Sequence, residues 1–90
     1  MFSLPEDVHA FRTTDTFDQD SIPAGLLKEH QLKENTWGKI HIIEGKLILE
    51  FLDNGNLQVL SKDKPGIIPP QVFHQVRAVE GVRFYVEFWK

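Results

Sequence analysis

Residues 36–51 form a stretch of alternating apolar and polar side chains that constrains the fold more than any other part of this chain. The stretch reads TWGKIHIIEGKLILEF, and Gly45 divides it into two halves that each alternate with a period of two. This period is typical of β-strands with one face in the core and the other in water. We therefore predict two strands joined at Glu44 and Gly45, with Gly45 at a positive φ angle.

A hairpin with a two-residue loop is the simplest arrangement of these strands. Ile40 then lies opposite Leu49 in the core. Lys39 lies opposite Glu50 on the solvent face, where the opposite charges attract each other. His41 shares the solvent face, so we interpret it as a surface histidine.

Two further turns extend this pattern. A three-residue loop with Gly55 in the left-handed conformation places Leu49 opposite Val59 and predicts a third strand. Residues 72–89 predict a last hairpin that turns at Gly81.

Residues 26–30 favour a strand over half a turn of helix, and the first twenty residues favour a short edge strand or an extended arm.

Short strands, repeated glycine turns and the lack of an amphipathic helix favour an all-β sandwich or barrel. Ninety residues fit a single domain, 1–90, with one modest core. The open sheet edges and the apolar residues of the arm, including Phe2 and Phe11, predict a homodimer.

Composition excludes several classes of function. A net charge of −3 without a basic run argues against nucleic-acid binding. The absence of cysteine removes disulfides and thiolate metal sites. Because no apolar stretch approaches the roughly 20 residues that span a bilayer, and the start does not resemble a signal peptide, we expect a cytoplasmic protein without membrane contact. Phosphate-loop, nucleophile-elbow and dinucleotide motifs are also absent.

The last hairpin predicts the candidate site. A two-residue loop ending at Gly81 places His74 opposite Glu87 and Val76 opposite Tyr85, with Arg83 beside them. A histidine and a glutamate on adjacent strands can ligate one metal ion, or the carboxylate can orient the imidazole as a general base. The alternative is a buried pair in which the two groups satisfy each other without any ligand.

His30 is the best candidate for a third ligand, because its strand is expected across the mouth of a barrel from His74. We therefore predict a metal site of His30, His74 and Glu87, with Tyr85, Val76 and Arg83 lining a ligand pocket. Nitrogen and carboxylate ligands without sulfur favour zinc or nickel.

Four segments of the chain together resemble one known family. They are IPAGLLKEH at residues 22–30, NTWGKIHIIEGKL at 35–47, PPQVFHQV at 69–76 and VRFYVEFW at 82–89. They resemble the small cupin-like family related to tellurite-resistance protein B. The resemblance implies a double-stranded β-helix, the cupin-like jelly roll, in which two antiparallel sheets enclose a pocket.

The resemblance also allows the cupin metal motifs to be compared with single residues. His30 falls near the leading histidine of the first motif, and His74 matches the histidine of the second. Leu32 and Thr36 stand where the first motif has its second histidine and its glutamate. The usual ligand set is therefore incomplete, and Glu87 has to supply what is missing.

Three functions follow as hypotheses. The first is a small metal-binding module that binds an oxyanion or small polar ligand, linked by resemblance to tellurite or stress resistance. The second is a metal-dependent cupin enzyme of the oxygenase or isomerase type. The third is a metal-free scaffold that contacts protein partners. The incomplete ligand set favours binding over catalysis, and the residues leave open whether the protein is an enzyme.

Overall fold

Two antiparallel β-sheets pack face to face in the computed structural model, which describes residues 2–28 and 30–90. The elements of this part of the chain are β1 (Ala10–Thr13), β2 (Phe17–Asp18), α1 (Ala24–Leu27), β3 (Trp37–Glu44), β4 (Leu47–Phe51), β5 (Leu57–Leu60), β6 (Gly66–Ile68), β7 (His74–Ala78) and β8 (Arg83–Trp89). The first sheet has the order β1-β8-β3-β6, with β2 also paired to β8, and the second has the order β5-β4-β7.

The core lies between the two sheets and is built from the inward faces of their strands. Alternate residues of β3 and β4 are buried, as the sequence pattern predicts. The buried apolar side chains are Ile22, Ile40, Ile42, Leu47, Leu49, Phe51, Leu60, Ile68, Val76, Val82, Phe84 and Val86. A mostly β domain with one core is therefore confirmed.

The predicted hairpin at Gly45 is wrong, because β3 and β4 belong to different sheets. The chain crosses from one sheet to the other at this turn, where Gly45 has the predicted positive φ of 73°. Strands that face each other across a core alternate in the same way as strands that pair edge to edge. The sequence pattern therefore identifies the buried face of each strand but not the neighbour of that strand.

The predicted hairpin at Gly81 is wrong for the same reason, since β7 pairs with β4 and β8 pairs with β3. The chain again crosses between the sheets, and Gly81 has a φ of 80°. The two crossing turns lie against each other. A Cβ atom on Gly45 would stand 2.6 Å from the carbonyl oxygen of Gly81, so this contact requires glycine at position 45.

The pairing of β4 with β5 is predicted correctly, but its register differs by one residue. Leu49 lies opposite Gln58 rather than Val59. The loop is longer than predicted, because the amide of Phe51 donates to the carbonyl of Asn56. Gly55 still has the predicted positive φ, at 71°. The longer loop turns Val59 outward, where it is 50% exposed.

The segment before β3 is a helical turn rather than the predicted strand. Pro23 has a φ of −55°, and its carbonyl accepts a hydrogen bond from the amide of Leu26. A proline at the start of a helix fixes a backbone angle that suits the first turn. The predicted strand also included Glu29, which lies outside the described residues.

The N-terminal segment packs on its own chain. Strand β1 forms an edge of the first sheet, as predicted, and the ring of Phe2 meets the ring of Phe51 at 5.2 Å between centroids. This contact gives Phe2 an intramolecular partner and removes one reason for expecting dimerisation through the arm. The homodimer stays a prediction. Met1 lies outside the described residues, and no helix among the described ones is long and apolar enough to cross a membrane.

Candidate ligand-binding pocket

His30 and His74 form a backbone-paired couple at one end of the sandwich. The amide of His30 donates to the carbonyl of His74 over 3.0 Å, and the amide of His74 donates to the carbonyl of His30 over 2.8 Å. Directly opposed residues in such an antiparallel bridge carry their side chains on the same face. The two imidazole rings are accordingly in edge-to-face contact, with centroids 4.0 Å apart.

The two rings line a pocket of about 220 Å³ between the sheets. The other lining side chains are apolar and come from the segment before β3 and from both sheets. They are Leu26, Leu32, Ile40, Ile68, Val76, Phe84, Val86 and Phe88. Among the lining residues, the two histidines are therefore the only polar side chains, and any polar group of a ligand has to bind to them.

Backbone carbonyls determine the proton positions on both rings. Nδ1 of His30 donates to the carbonyl of Lys28 over 3.0 Å, and Nδ1 of His74 donates to the carbonyl of Val72 over 2.8 Å. Because a carbonyl only accepts hydrogen bonds, each Nδ1 carries the proton, and Nε2 of a neutral ring is left as an acceptor.

Nε2 of His74 has no hydrogen-bond partner among the described residues. Every fully buried side-chain nitrogen or oxygen in residues 2–28 and 30–90 does have a partner. The ring of His74 lines the pocket, so a ligand in the pocket could bond to Nε2.

Burial keeps His74 uncharged. The side chain is only 2% exposed, and its pKa is lowered from 6.5 to about 4, mainly by desolvation and less by the neighbouring His30, while the hydrogen bond to the carbonyl of Val72 opposes the shift. At neutral pH the ring is a neutral hydrogen-bond acceptor.

Glu87 does not lie beside His74, so the predicted cross-strand pair is wrong. The side chain of Glu87 is on the outer face of the first sheet, where its carboxylate accepts hydrogen bonds from His41 over 2.9 Å and from Trp89 over 3.0 Å. The prediction failed because it assumed that β7 and β8 are neighbours. In the structure Glu87 lies opposite Lys39 of β3.

The remaining predicted pocket residues are divided between the two faces. Val76 lines the pocket, whereas Tyr85 stacks on His41 on the outer face, with ring centroids 4.8 Å apart. Arg83 also lies outside the pocket, and its guanidinium is 3.2 Å from the carboxylate of Glu44. In both β7 and β8 the even-numbered residues point inward, which separates these groups.

Sequence reasoning missed the partner of His41. His41 lies on the outer face of β3, as predicted, but its side chain is only 27% exposed and is bound to Glu87, so it is partly buried rather than fully solvated. No local signal could have found the pair, because the two residues belong to strands separated by about forty residues. The predicted metal set is also dispersed, and the described residues contain no group of three or more histidine, aspartate or glutamate side chains able to hold a metal ion.

Comparison with known proteins supports the fold. A crystal structure of a protein from Escherichia coli K12 superposes with a TM-score of 0.91 at 16% identity, covering 100% of this chain and 97% of that one. A Neisseria meningitidis protein of known structure superposes with a TM-score of 0.58 at 12% identity, covering 99% and 89%. At these identities the likeness shows the fold alone.

Comparison with a longer protein indicates where the domain occurs. The chain is 25% identical over 81 residues to TehB of Haemophilus influenzae, which is named a probable S-adenosyl-L-methionine-dependent methyltransferase. The match covers 84% of this chain but only 28% of that protein. The crystal structure of that TehB superposes with a TM-score of 0.83 at 22% identity, over 93% of this chain and 32% of that one. The TehB-like domain model matches residues 12–86, and the chain therefore belongs to the TehB-like domain family.

Proposed function

We propose that this domain binds a small, neutral, largely apolar molecule that carries an O–H or N–H group. The observation that carries the proposal is the matched hydrogen bonding of the two pocket histidines, whose Nδ1 atoms both donate to backbone carbonyls. Their Nε2 atoms are therefore left to accept from a ligand. An apolar body would fill the space between the sheets, and its donor group would bind Nε2.

Size and charge narrow the class of ligand. An engineered apolar cavity of roughly 150 Å³ holds a benzene molecule, so a pocket of about 220 Å³ has room for a single-ring compound. An anion is disfavoured because it would meet the lone pair of neutral His74 and an otherwise apolar wall. A phenol or a small alcohol fits these constraints better than an oxyanion does.

The test is an NMR titration of the labelled protein with phenol and with toluene, a matched ring that lacks the donor. We expect phenol to shift the signals of His74 and Val76 and to bind about fivefold more tightly than toluene, the value of one hydrogen bond. His74→Leu should abolish this preference. His41→Ala, which removes a histidine from the outer face, should leave it intact. Equal affinity for the two rings in the wild type would contradict the proposal.

A two-histidine metal site is the second candidate function. The favouring observation is again the orientation of the rings, because metal-ligating histidines almost always donate their other nitrogen to a carbonyl or carboxylate. The described residues provide two nitrogens, one ligand fewer than the three protein ligands of open zinc sites. Glu87 does not supply the third ligand, because it lies on the outer face. Zinc or nickel at this site would therefore need a further ligand in addition to the two histidines.

Calorimetric titration of metal-stripped protein with zinc and with nickel tests this candidate. Uptake of one ion per chain, lost in both His30→Ala and His74→Ala but kept in His41→Ala, would support it. It would also make an oxygenase or isomerase activity worth assaying. No uptake by the wild-type protein would remove both the metal-binding and the metalloenzyme hypotheses.

The wider context is proposed from family resemblance. The crossing of the chain between two sheets at Gly45 and Gly81 supports a double-stranded β-helix of the cupin type. A cytoplasmic role in tellurite or stress resistance, alone or as part of a longer protein, rests on the family resemblance. Because the proposed ligand of the histidine pocket is neutral, this pocket would not bind the oxyanion itself.

A further inference from the structure

A β-bulge in β1 places two consecutive side chains in a second pocket. Ala10 lies opposite Trp89 and Arg12 lies opposite Phe88, so Phe11 is an extra residue without a partner on β8. Neighbouring residues of a regular strand point to opposite faces. Here the bulge allows both Phe11 and Arg12 to line the same pocket.

This second pocket, of about 350 Å³, lies on the far side of Leu32 and Phe88 from the histidines, and these two side chains border both pockets. The residues that line it are Phe11, Arg12, Gln31, Leu32, Lys33, Thr36, Phe88 and Lys90. Three of them are cations and none is acidic. A chain with a net charge of −3 has more carboxylates than cations, so this local excess is opposite in sign to the protein as a whole.

The cations of the second pocket form no ion pair with another described residue. Among residues 2–28 and 30–90, the carboxylates in contact with a basic nitrogen are Glu44, beside Arg83, and Glu87, beside the ring of His41. Two of the three cations instead lie over aromatic rings. The guanidinium of Arg12 is 5.4 Å from the centre of the Phe88 ring, and the ammonium of Lys90 is 4.5 Å from the centre of the Phe11 ring.

This arrangement leaves the cations available to an anion. A ring beneath a cation holds it in place without cancelling its charge. Arginine is suited to two-pronged binding of carboxylate or phosphate oxygens, and lysine adds a point charge. Phe11, which is 48% exposed, adds an apolar surface beside these charges.

We propose that the second pocket binds an organic anion, with its carboxylate or phosphate group held by Arg12, Lys33 and Lys90 and its apolar part against Phe11 and Phe88. The bulge is the structural device that brings the apolar and the cationic side chains of β1 to the same ligand. This site is independent of the neutral ligand proposed for the histidine pocket, which excludes anions.

An NMR titration with benzoate and with phenyl phosphate tests the proposal, with acetate and inorganic phosphate as probes that lack the ring. We expect both aromatic anions to shift the signals of Arg12, Lys33 and Thr36, and to bind more tightly than the two ringless anions. Arg12→Gln and Lys33→Gln should each weaken binding about tenfold. Arg77→Gln, which changes an exposed arginine on β7, is the matched control and should change nothing.

Three outcomes would overturn the proposal: no binding of either aromatic anion, equal binding by Arg12→Gln and Arg77→Gln, or shifts confined to the histidine pocket. Added salt should weaken binding, since it screens exposed charges. His74→Leu separates the two sites, because it should remove the phenol preference of the inner pocket and leave benzoate binding unchanged. Failure of one site therefore does not count as failure of the other.

Discussion

The inner and outer histidines of this domain differ in the partners that hold them. In the inner pocket, His74 donates to a backbone carbonyl and is enclosed by apolar side chains. On the outer face, His41 bonds to the carboxylate of Glu87 and stacks on Tyr85. A carbonyl cannot stabilise an imidazolium as well as a carboxylate can. The comparison shows that strand pairing, rather than residue type, decides whether a histidine faces an apolar pocket or bonds to a carboxylate on the outer face.

The two sites also differ in how much of the fold depends on them. His74 is buried at the end of the core, where removal of its ring leaves a cavity. His41 and Glu87 are partly exposed, with side chains 27% and 22% accessible, and water can replace part of what they lose. This difference leads to three predictions about the stability of the domain.

Truncation of the inner histidine should cost more stability than truncation of the outer one. We expect His74→Ala to lower the free energy of unfolding by roughly 2–4 kcal/mol through the cavity and the lost hydrogen bond. His41→Ala should lower it by about 1 kcal/mol or less, as is usual for a partly exposed pair. Urea denaturation at pH 7 measures both values. Equal losses in the two variants would contradict the proposed difference, because they would show that the fold depends equally on both histidines.

The inner histidine should make the protein less stable in acid. Its pKa is lowered from 6.5 to about 4 by burial, so between these values the unfolded chain binds a proton that the folded chain does not. Above pH 6.5 neither state binds this proton, and the full stability is present. As the pH falls from 6.5 towards 4, the free energy of unfolding decreases by on the order of 3 kcal/mol. Denaturation curves at pH 7 and pH 4.5 measure the loss.

A variant without the titrating ring provides the control for this pH effect. His74→Leu should lose distinctly less stability than the wild type between pH 7 and pH 4.5, whereas His41→Ala should retain most of the wild-type pH dependence. If His74→Leu and the wild type lose the same amount, other groups account for the acid sensitivity, and the neutral state of the inner ring is not what stabilises the fold.

Neutralising the outer carboxylate should have the smallest effect. Glu87→Gln keeps the shape of the side chain and a hydrogen-bond acceptor for Trp89, so we expect a loss of about 0.5 kcal/mol at pH 7. Thermal unfolding monitored by tryptophan fluorescence reports both the stability and the environment of Trp89. A loss as large as that of His74→Ala would contradict the view that the outer cluster is a surface feature.

The buried faces of the strands could be predicted from sequence, whereas the pairing of the strands could not. Alternation identified Ile40, Ile42, Leu47 and Leu49 as core residues, and the glycine turns at positions 45, 55 and 81 have the expected positive φ angles. The same alternation fits two strands joined edge to edge and two strands facing each other across a core. These arrangements differ only in which strands pair with each other. That pairing depends on residues far apart in the sequence and cannot be predicted from the residues of one turn.

The candidate site was predictable to the same limited extent. The sequence singled out His30 and His74, and the structure places them in contact. The sequence analysis placed Glu87 beside them because it paired β7 with β8 as a hairpin, whereas the two strands lie in different sheets. The cationic pocket was missed because it depends on the bulge at Phe11, and nothing in the alternation of the arm signals an unpaired residue.

The two crossing turns have a consequence for how the chain folds. Because the turns at Gly45 and Gly81 do not form hairpins, β3 pairs with β8 across about forty residues and β4 pairs with β7 as well as with the adjacent β5. Proteins dominated by such distant pairings fold slowly for their size, since the entropy of closing long loops is lost before the pairings reward it. The contact between Gly45 and Gly81 joins two such crossings, so it depends on both of these long-range connections.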